Sequence, residues 1–566
     1  MRGDAAPGFL AHRWLLAAAA GGAVAEAALL AALAPAARGL APQVTALPPL
    51  AVYHDLRWLY GYGLPWPVFV AGVVALLAVR SGVNAGLIRL AWPAGSTPPP
   101  LLVLWWSSVT LTAIAGVLLS PVVALMFGAS VVPFSWPFLA SLAAMVLLML
   151  PMSHGGVLAW WWQALPPASA AGWLLADFAV LTLAAALIGR LPTGGGVAVA
   201  GLAGLFNARA WYGVTTGVVH GRQQARTHLP LAPIAAIGAI ALVIGVTRLA
   251  FFVGVRSAAP HPRGAAPISS AAPAGKGTGP AVTGLQAPPP VSATHLAGHR
   301  SPRGRIAVLV LAGFGSSCCN HAGDVHRVLP GRWVQQFSYR GLSRTGQPLP
   351  HGPTASNLSL TVLGHRVTAQ LLQLYRETGR RVDIVAESEG TLGVDAMLAL
   401  HPRVPLGSVV LLSPIIAPGQ DSYPSLDGAN PGLVAGAELR GVIWFVGGLS
   451  PFGTTGAQTF VNSVDSLGAR FAVLAHPRLA RSLQFMPLAD AVTMPACPLA
   501  ANVEVVPAFH GELLGDPAVL EAVRAFLSHE PVHGRPGLRA AAEVVAAGAA
   551  AWRMPLVTSP SPPCPH

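Results

Sequence analysis

The chain has two halves with different patterns of hydrophobic and polar positions. In residues 1–255, long apolar runs follow one another, and the only ionisable side chain between Leu90 and Ala176 is His154. A helix needs about 20 apolar residues to cross a bilayer, so this half predicts several membrane spans. We predict seven spans. The second begins near residue 64 and extends past Arg80, and the other six lie at about 14–33, 101–122, 132–152, 170–188, 195–214 and 229–253.

The second half alternates short apolar runs with amphipathic segments. That pattern is typical of an α/β domain with a mostly parallel sheet. It predicts strands at 305–311, 333–339, 382–385, 408–412, 441–446, 483–487 and 503–506, and helices at 357–378, after 390 to about 400, and at 517–527. The predicted architecture is therefore an α-helical transmembrane bundle (1–255), an Ala/Pro/Gly-rich linker (256–304), an α/β domain (305–530) and an Ala/Pro-rich tail (531–566). Within the tail, 537–552 predicts an Ala-rich helix that is too weakly apolar to be an eighth span.

Composition supports a membrane protein. Charged residues make up 10% of the chain and hydrophobic residues 53%, whereas an ordinary soluble domain is about 25% charged. These values exclude a wholly soluble protein and also a disordered one. The net charge of +13 comes from scattered arginines, without the basic cluster expected of a nucleic-acid binder. The excess instead fits membrane topology signals and contact with anionic lipids.

Arginines in short loops predict the orientation of the bundle. With the N-terminus in the cytoplasm, the inner arginines are 2, 13, 80, 89, 222 and 226, and the outer ones are 38, 57 and 190. Seven spans then place the C-terminal half outside the cytoplasm. We therefore expect a multi-pass cell-membrane protein with an extracytoplasmic α/β domain.

Several polar and aromatic residues lie in or beside the predicted spans. Charged side chains are costly at the bilayer centre, so two acids and two bases there predict internal pairing, with a polar cavity or proton path as the alternative: Glu26, Asp177, Arg209 and Arg248. The segment 205–211 is the most polar part of the sixth predicted span. Aromatic side chains just before the second span predict an interfacial belt: Trp58, Tyr60, Tyr62 and Trp66.

The clearest chemical motif is Ala386-Glu-Ser-Glu-Gly390, which directly follows a predicted buried strand and precedes a helix. A serine in such a tight turn projects its hydroxyl above the sheet edge, and the flanking residues must be small because strand and helix nearly collide. Ala386 and Gly390 meet that requirement, although glycine is usual at the first position. Ser388 is therefore the predicted nucleophile.

This strand–turn–helix motif resembles the α/β-hydrolase superfamily of serine esterases and lipases, and the resemblance covers about 305–530. Together with the apolar half, the chain resembles membrane hydrolases of actinobacterial type. The resemblance implies the order nucleophile, acid, histidine, with the histidine between the last strand and the final helix. His510 has that position, and an imidazole titrates near neutrality, so it can take and return the serine proton. Asp490, 20 residues earlier, is the expected acid that orients His510, and Asp465 is the alternative.

The resemblance also implies an oxyanion hole made of two backbone amides. One would belong to Glu389, after the nucleophile, and the other to Phe314, in the Gly-Phe-Gly loop after the first strand. We expect the Glu389 side chain to have no catalytic role. This chemistry requires no metal and no organic cofactor.

The sequence thus predicts a membrane-anchored serine hydrolase that cleaves esters, or transfers their acyl groups, through an acyl-serine intermediate. Tethering to a membrane favours lipidic esters, so lipids and ester substrates are the expected partners, and nucleic acids are not. The alternative is a catalytically inactive, hydrolase-like receptor or scaffold attached to a membrane binding or transport domain. Outside the cytoplasm, Cys318 or Cys319 could bridge to Cys497.

Overall fold

The computed structural model describes residues 12–61, 66–128, 167–221, 303–318, 322–415, 481–490, 502–532 and 534–550, with shorter pieces at 438, 457, 459–460, 462–464 and 552. In the N-terminal half the helices are α1 (Arg13–Leu33), α2 (Pro48–Gly61), α3 (Trp66–Ala91), α4 (Leu101–Gly128), α5 (Pro167–Arg190) and α6 (Thr193–Gly221), with a 3-10 helix at Pro35–Thr45 before α2. The predicted spans at 132–152 and 229–253, and the linker, lie outside the described residues.

Four of the described helices are long and apolar enough to cross a membrane. They are Arg13–Leu33, Pro67–Ala91, Leu101–Ser120 and Gly172–Arg190, which correspond to the first, second, third and fifth predicted spans. The sixth predicted span is helical, as α6, but is not among these four. Among the described residues, four helices are thus candidate membrane spans by length and composition, and the total of seven stays a prediction.

The helix α2 was not predicted from the sequence. Its 14 residues extend only about 21 Å, too short for a span, and it is packed inside the bundle with Tyr53, His54 and Arg57 buried. Tyr60 is only 3% exposed, so it does not belong to an interfacial belt. Arg57 and Arg80 are likewise buried in helices and are not loop charges, which corrects two positions used for the predicted orientation.

Each of the three described charges within the predicted spans has a contact with a residue outside that set. Glu26 contacts His54 of α2 at 2.8 Å, and Asp177 accepts a hydrogen bond of 2.9 Å from the Leu47 amide. The guanidinium of Arg209 lies 4.7 Å from the centre of the Trp173 ring, and Arg248 lies outside the described residues. The internal partners were missed because they belong to the unpredicted segment 35–61 and to aromatic rings.

The C-terminal half contains a six-stranded parallel sheet. Its strands are β1 (Ala307–Leu311), β2 (Trp333–Gln336), β3 (Val382–Glu387), β4 (Leu406–Leu412), β5 (Ser482–Ala489) and β6 (Val503–Phe509), in the spatial order β2-β1-β3-β4-β5-β6. The helices are α7 (Ala322–Val328), α8 (Leu360–Thr378), α9 (Glu389–Leu400), α10 (Pro517–Leu527) and α11 (Pro536–Ala550). The predicted strands and helices are confirmed, apart from 441–446, which lies outside the described residues.

Helices cover both faces of the sheet, as a parallel sheet requires. One apolar core contains residues of α8 and α9, and the other contains residues of α7 and α10. The sequence sets the limits of α8 clearly, because the Ser359 side chain accepts a hydrogen bond from the Val362 amide and Gly379 ends the helix in the left-handed conformation at φ 69°. The central strand β3 is buried along its whole length, so it fixes the position of the turn that follows.

The C-terminal helix α11 connects the sheet to the bundle. Ala542 of α11 lies in a small core with Met486 and Val505 of the sheet. Beyond the helix, Trp552 is fully buried, stacks on Phe178 of α5 at 4.4 Å and donates a hydrogen bond of 2.8 Å to Thr182. The tail therefore contributes a side chain to the core of the bundle.

Replacing Trp552 by alanine is expected to lower the free energy of unfolding of the bundle by about 3–5 kcal/mol, because a large buried side chain leaves a cavity. Thermal unfolding of the purified protein in detergent measures the loss. Glu543→Gln, on the exposed face of α11 (42% exposed), is the matched control and is expected to unfold like the wild type. Equal melting temperatures for all three proteins would show that Trp552 contributes nothing to the core.

Candidate functional site

The Ser388 turn lies where β3 ends and α9 begins. Ser388 has φ 52° and ψ −118°, a strained conformation for a residue with a side chain, which costs about 1–3 kcal/mol. A Cβ atom at Gly390 would lie 2.8 Å from Cβ of Leu311 and 2.9 Å from its carbonyl oxygen. The small residue is therefore required because α9 passes directly over β1, as the motif predicts.

Gly390→Val is expected to prevent correct closure of the turn and to abolish any activity that depends on Ser388. A valine side chain cannot be placed there without displacing the backbone of Leu311. Activity and thermal unfolding should be measured together, with Gly537→Val as control, because a Cβ atom at Gly537 meets nothing within 4 Å. An active, normally stable Gly390→Val protein would contradict the close approach of helix and strand.

Ser388, His510 and Asp490 form a continuous hydrogen-bonded array at the carboxyl edge of the sheet. The Ser388 hydroxyl Oγ lies 2.8 Å from Nε2 of His510. The other ring nitrogen, Nδ1, lies 3.0 Å from Oδ2 and 3.1 Å from Oδ1 of Asp490. Asp490 is fully buried, whereas the His510 side chain is 21% exposed. The alternative acid, Asp465, lies outside the described residues.

The surroundings of His510 favour its charged form. Burial alone would lower the pKa of the imidazole, but the charge and hydrogen bond of Asp490, together with the charge of Glu387, raise it above its ordinary value. An imidazole with this environment can hold the proton that it takes from a serine hydroxyl. The array thus combines a hydroxyl, a base and a buried acid in the geometry needed for nucleophilic attack.

Glu387, directly before Ser388, was not singled out by the sequence reasoning. It is buried, and its Oε1 accepts a hydrogen bond of 2.9 Å from the amide of Leu513, in the turn after His510. Burial raises the pKa of Glu387 to about 7, against the lowering effects of His510 and the amides of Leu513 and Leu514. The carboxyl group joins the two loops that carry the serine and the histidine.

Glu387→Gln is expected to increase the stability of the protein above neutral pH. Because folding raises this pKa from 4.5 to about 7, the ionised carboxylate costs stability that grows as pH rises through this range and amounts to about 3 kcal/mol above it. Glutamine keeps an oxygen for the Leu513 amide and removes the charge. Unfolding measured at pH 5 and pH 8 should show a gain at pH 8 that disappears at pH 5. A variant that is destabilised at pH 8 would contradict the assignment.

Glu389, directly after Ser388, is a second buried acid. Its side chain is 1% exposed, and burial raises its pKa well above the ordinary value, only partly offset by Tyr339. Burial therefore favours the uncharged form of this carboxyl group beside the nucleophile. Glu389 is also the first residue of α9, whose N-terminal amides have no partner within the helix, so its backbone amide is suited to an oxyanion.

The loop after β1 lies against the nucleophile, as expected for the second oxyanion donor. A Cβ atom at Gly313 would lie 3.1 Å from Cβ of Ser388. The amide of Gly315 donates a hydrogen bond of 3.0 Å to Oγ of Ser356, which fixes the loop. The ring of Phe314 is stacked on that of Phe460 at 5.3 Å, a contact that the sequence did not reveal because 146 residues separate the two. The oxyanion role of the Phe314 amide remains a prediction.

Within the described part of the chain, no group of three or more His, Cys, Asp or Glu side chains is arranged to hold a metal ion. Cys318, which follows the Gly313–Gly315 loop, is disulfide-bonded. Its partner lies outside the described residues, because the other three cysteines, 319, 497 and 564, are not described.

Comparison with known proteins gives only structural neighbours. No protein-family profile matches the chain, and no curated protein matches it. An esterase from Rhodococcus is similar in structure, with a TM-score of 0.24 and 15% identity over 40% of this chain and 92% of that protein. A 2-hydroxy-6-oxo-6-phenylhexa-2,4-dienoate hydrolase, also from Rhodococcus, gives a TM-score of 0.25 and 17% identity over 37% of this chain and 85% of that protein. The overlap is too low to bear on the activity.

Proposed function

We propose that this chain is a membrane-anchored serine hydrolase that acts on carboxylic esters through an acyl-serine intermediate. The observation that carries the proposal is the Ser388–His510–Asp490 array, held by a strained turn at the end of a central strand. A strained serine with an aligned base is costly to maintain, and such strain is concentrated at functional sites.

The array accounts for each proton in the reaction. Ser388 Oγ attacks the ester carbonyl while its proton passes to Nε2 of His510, and Asp490 stabilises the resulting imidazolium. The amides of Glu389 and Phe314 bind the oxyanion. His510 then gives the proton to the leaving alcohol, which departs as the acyl-serine forms. A water molecule, or a second alcohol, repeats the steps and releases the acyl group.

Lipidic esters are the proposed substrates, because the segment between β4 and β5 touches the helical bundle. In that segment, Glu438 accepts hydrogen bonds of 2.7 Å from Tyr60 of α2 and 2.8 Å from Ser120 of α4. The aromatic pair of Phe314 and Phe460 adds an apolar surface beside the Ser388 loop. An acyl chain leaving the bilayer would find this apolar surface beside Ser388.

The disulfide at Cys318 supports an extracytoplasmic position for the α/β domain, because disulfides persist in oxidising compartments. The side of the membrane is part of the proposal, together with the multi-pass topology. With the α/β domain outside the cytoplasm, the proposed substrate would lie in the outer leaflet.

A panel of p-nitrophenyl esters with acyl chains from C2 to C16 tests the proposal, using the full-length protein in detergent. We expect hydrolysis that needs Ser388 and a kcat/KM that increases with chain length. Hydrolysis of the short esters alone would support the serine hydrolase activity but contradict the proposal that the substrates are lipidic. A folded protein that hydrolyses none of them would favour the receptor or scaffold alternative.

A further inference from the structure

A cavity with ionisable walls lies in the helical bundle, in the part of the chain that precedes the linker. It has a volume of about 540 Å³ and is lined by residues of α1, the 3-10 helix, α2 and α3. None of its lining residues belongs to the Ser388 array. Clefts of this size with a few convergent polar groups are typical of small-molecule sites.

A chain of hydrogen bonds crosses the wall of this cavity. Nε2 of His54 lies 2.8 Å from Glu26, and Nδ1 lies 2.9 Å from Asp55. Arg80 donates to both oxygens of Asp55, at 2.6 Å from its Nε. The indole N–H of Trp58 also donates a hydrogen bond of 3.1 Å to Nε2 of His54, so this imidazole nitrogen contacts both Glu26 and Trp58.

The field inside the cavity depends on which of these groups face it. The two carboxylates are the more exposed members, at 15% for Glu26 and 19% for Asp55. The two bases are almost completely covered, at 4% for His54 and 5% for Arg80. The carboxylate oxygens are therefore more accessible to a guest than the two bases, and Coulomb interactions are strong in such an apolar setting.

The remaining walls suit an apolar molecule. On α3 they are aliphatic: Ala75, Leu76, Val79 and Val83. Val79 is 67% exposed on the outer face of a candidate span, so the cavity opens on the side that would meet lipid. The indole of Trp58 also lines it, and aromatic faces attract organic cations.

We propose that this cavity binds a lipophilic organic cation, such as a quaternary ammonium or phosphonium compound, which enters from the bilayer. An anion would be repelled by these two carboxylates, and a neutral hydrocarbon would gain nothing from their charge. Ionisable residues inside a membrane bundle are costly and are retained where they bind or transfer something. The site is independent of the proposed hydrolase activity.

Two ions of the same shape and opposite charge test the proposal, tetraphenylphosphonium and tetraphenylborate. Their binding to the full-length protein in detergent is measured by equilibrium dialysis. The same measurement with protein-free micelles gives the partition of each ion into detergent, which is subtracted. We expect saturable binding of the phosphonium at about one site per chain and no saturable binding of the borate. Saturable binding of both ions, of the borate alone, or of neither would overturn the proposal.

Variants locate the site. Glu26→Gln removes one of the two partly exposed carboxylates and is expected to weaken phosphonium binding at least tenfold. Ala75→Phe fills the cavity without changing charge and is expected to have the same effect, so the result does not depend on one variant folding. Glu543→Gln removes a carboxylate on α11, away from the cavity, and should bind like the wild type. Binding that is unchanged in both Glu26→Gln and Ala75→Phe would contradict the assignment.

Discussion

Replacing Ser388 by alanine is expected to lower kcat for ester hydrolysis by on the order of 10⁶-fold. Without Oγ there is no nucleophile, and the base at 2.8 Å has no proton to take. The measurement is steady-state hydrolysis of a p-nitrophenyl ester by wild type and variant at the same protein concentration.

The control for this substitution is Ser528→Ala, an exposed serine at the end of α10, which should leave kcat unchanged. Thermal unfolding of all three proteins checks that each is folded. If Ser388→Ala kept a rate within tenfold of the wild type, the hydrolysis would have to come from another group, and the proposed mechanism would be wrong.

Replacing Asp490 by asparagine is expected to lower kcat by about 10⁴-fold, because an amide no longer holds His510 in the tautomer that accepts the serine proton. The same change should also shift the low-pH limb of the pH profile of kcat/KM, where activity falls as His510 becomes protonated. Asp490 helps to raise the pKa of His510, and only neutral His510 can act as base, so loss of the carboxylate lowers that pKa and shifts the limb to lower pH.

A full pH profile of the residual activity separates the two parts of this prediction. An Asp490→Asn protein with wild-type kcat and an unshifted acid limb would remove Asp490 from the mechanism and leave Asp465 as the acid. Asp490→Glu is the matched variant that keeps the negative charge. It should therefore keep the low-pH limb of kcat/KM at the wild-type position even if kcat falls.

The α/β domain could be predicted well because its signals are local. Buried strands are continuous apolar runs, α8 has Ser359 at its start and Gly379 at its end, and the Ser388 turn needs small neighbours for steric reasons. The positions of His510 and Asp490 followed from a resemblance in chain order, and the geometry brings both to Ser388.

The bundle was predicted less completely, because hydropathy alone does not reveal a polar element that is buried by other helices. The segment of α2 contains His54, Asp55 and Arg57, and such polar residues predict a loop. In the structure these side chains are bound by partners on α1, α3 and the 3-10 helix. The burial of Trp552 could not be predicted from the sequence either, because its hydrogen-bond partners lie 370 residues or more away along the chain.

Glu387 and Glu389 show a different limit of sequence reasoning. Each looks like an ordinary acid beside the nucleophile, and only burial reveals that the pKa of each is raised. Burial thus favours the uncharged form of both side chains, which a sequence without coordinates does not indicate.

Labelling with a fluorophosphonate probe, followed by mass-spectrometric mapping of the modified peptide, tests the central claim most directly. The probe reacts only with a serine whose hydroxyl is activated by a base. The proposed mechanism predicts a single adduct on Ser388 in the wild-type protein in detergent, and none in Ser388→Ala. A folded wild-type protein that stays unlabelled, or labelling that persists at another residue in Ser388→Ala, would contradict it.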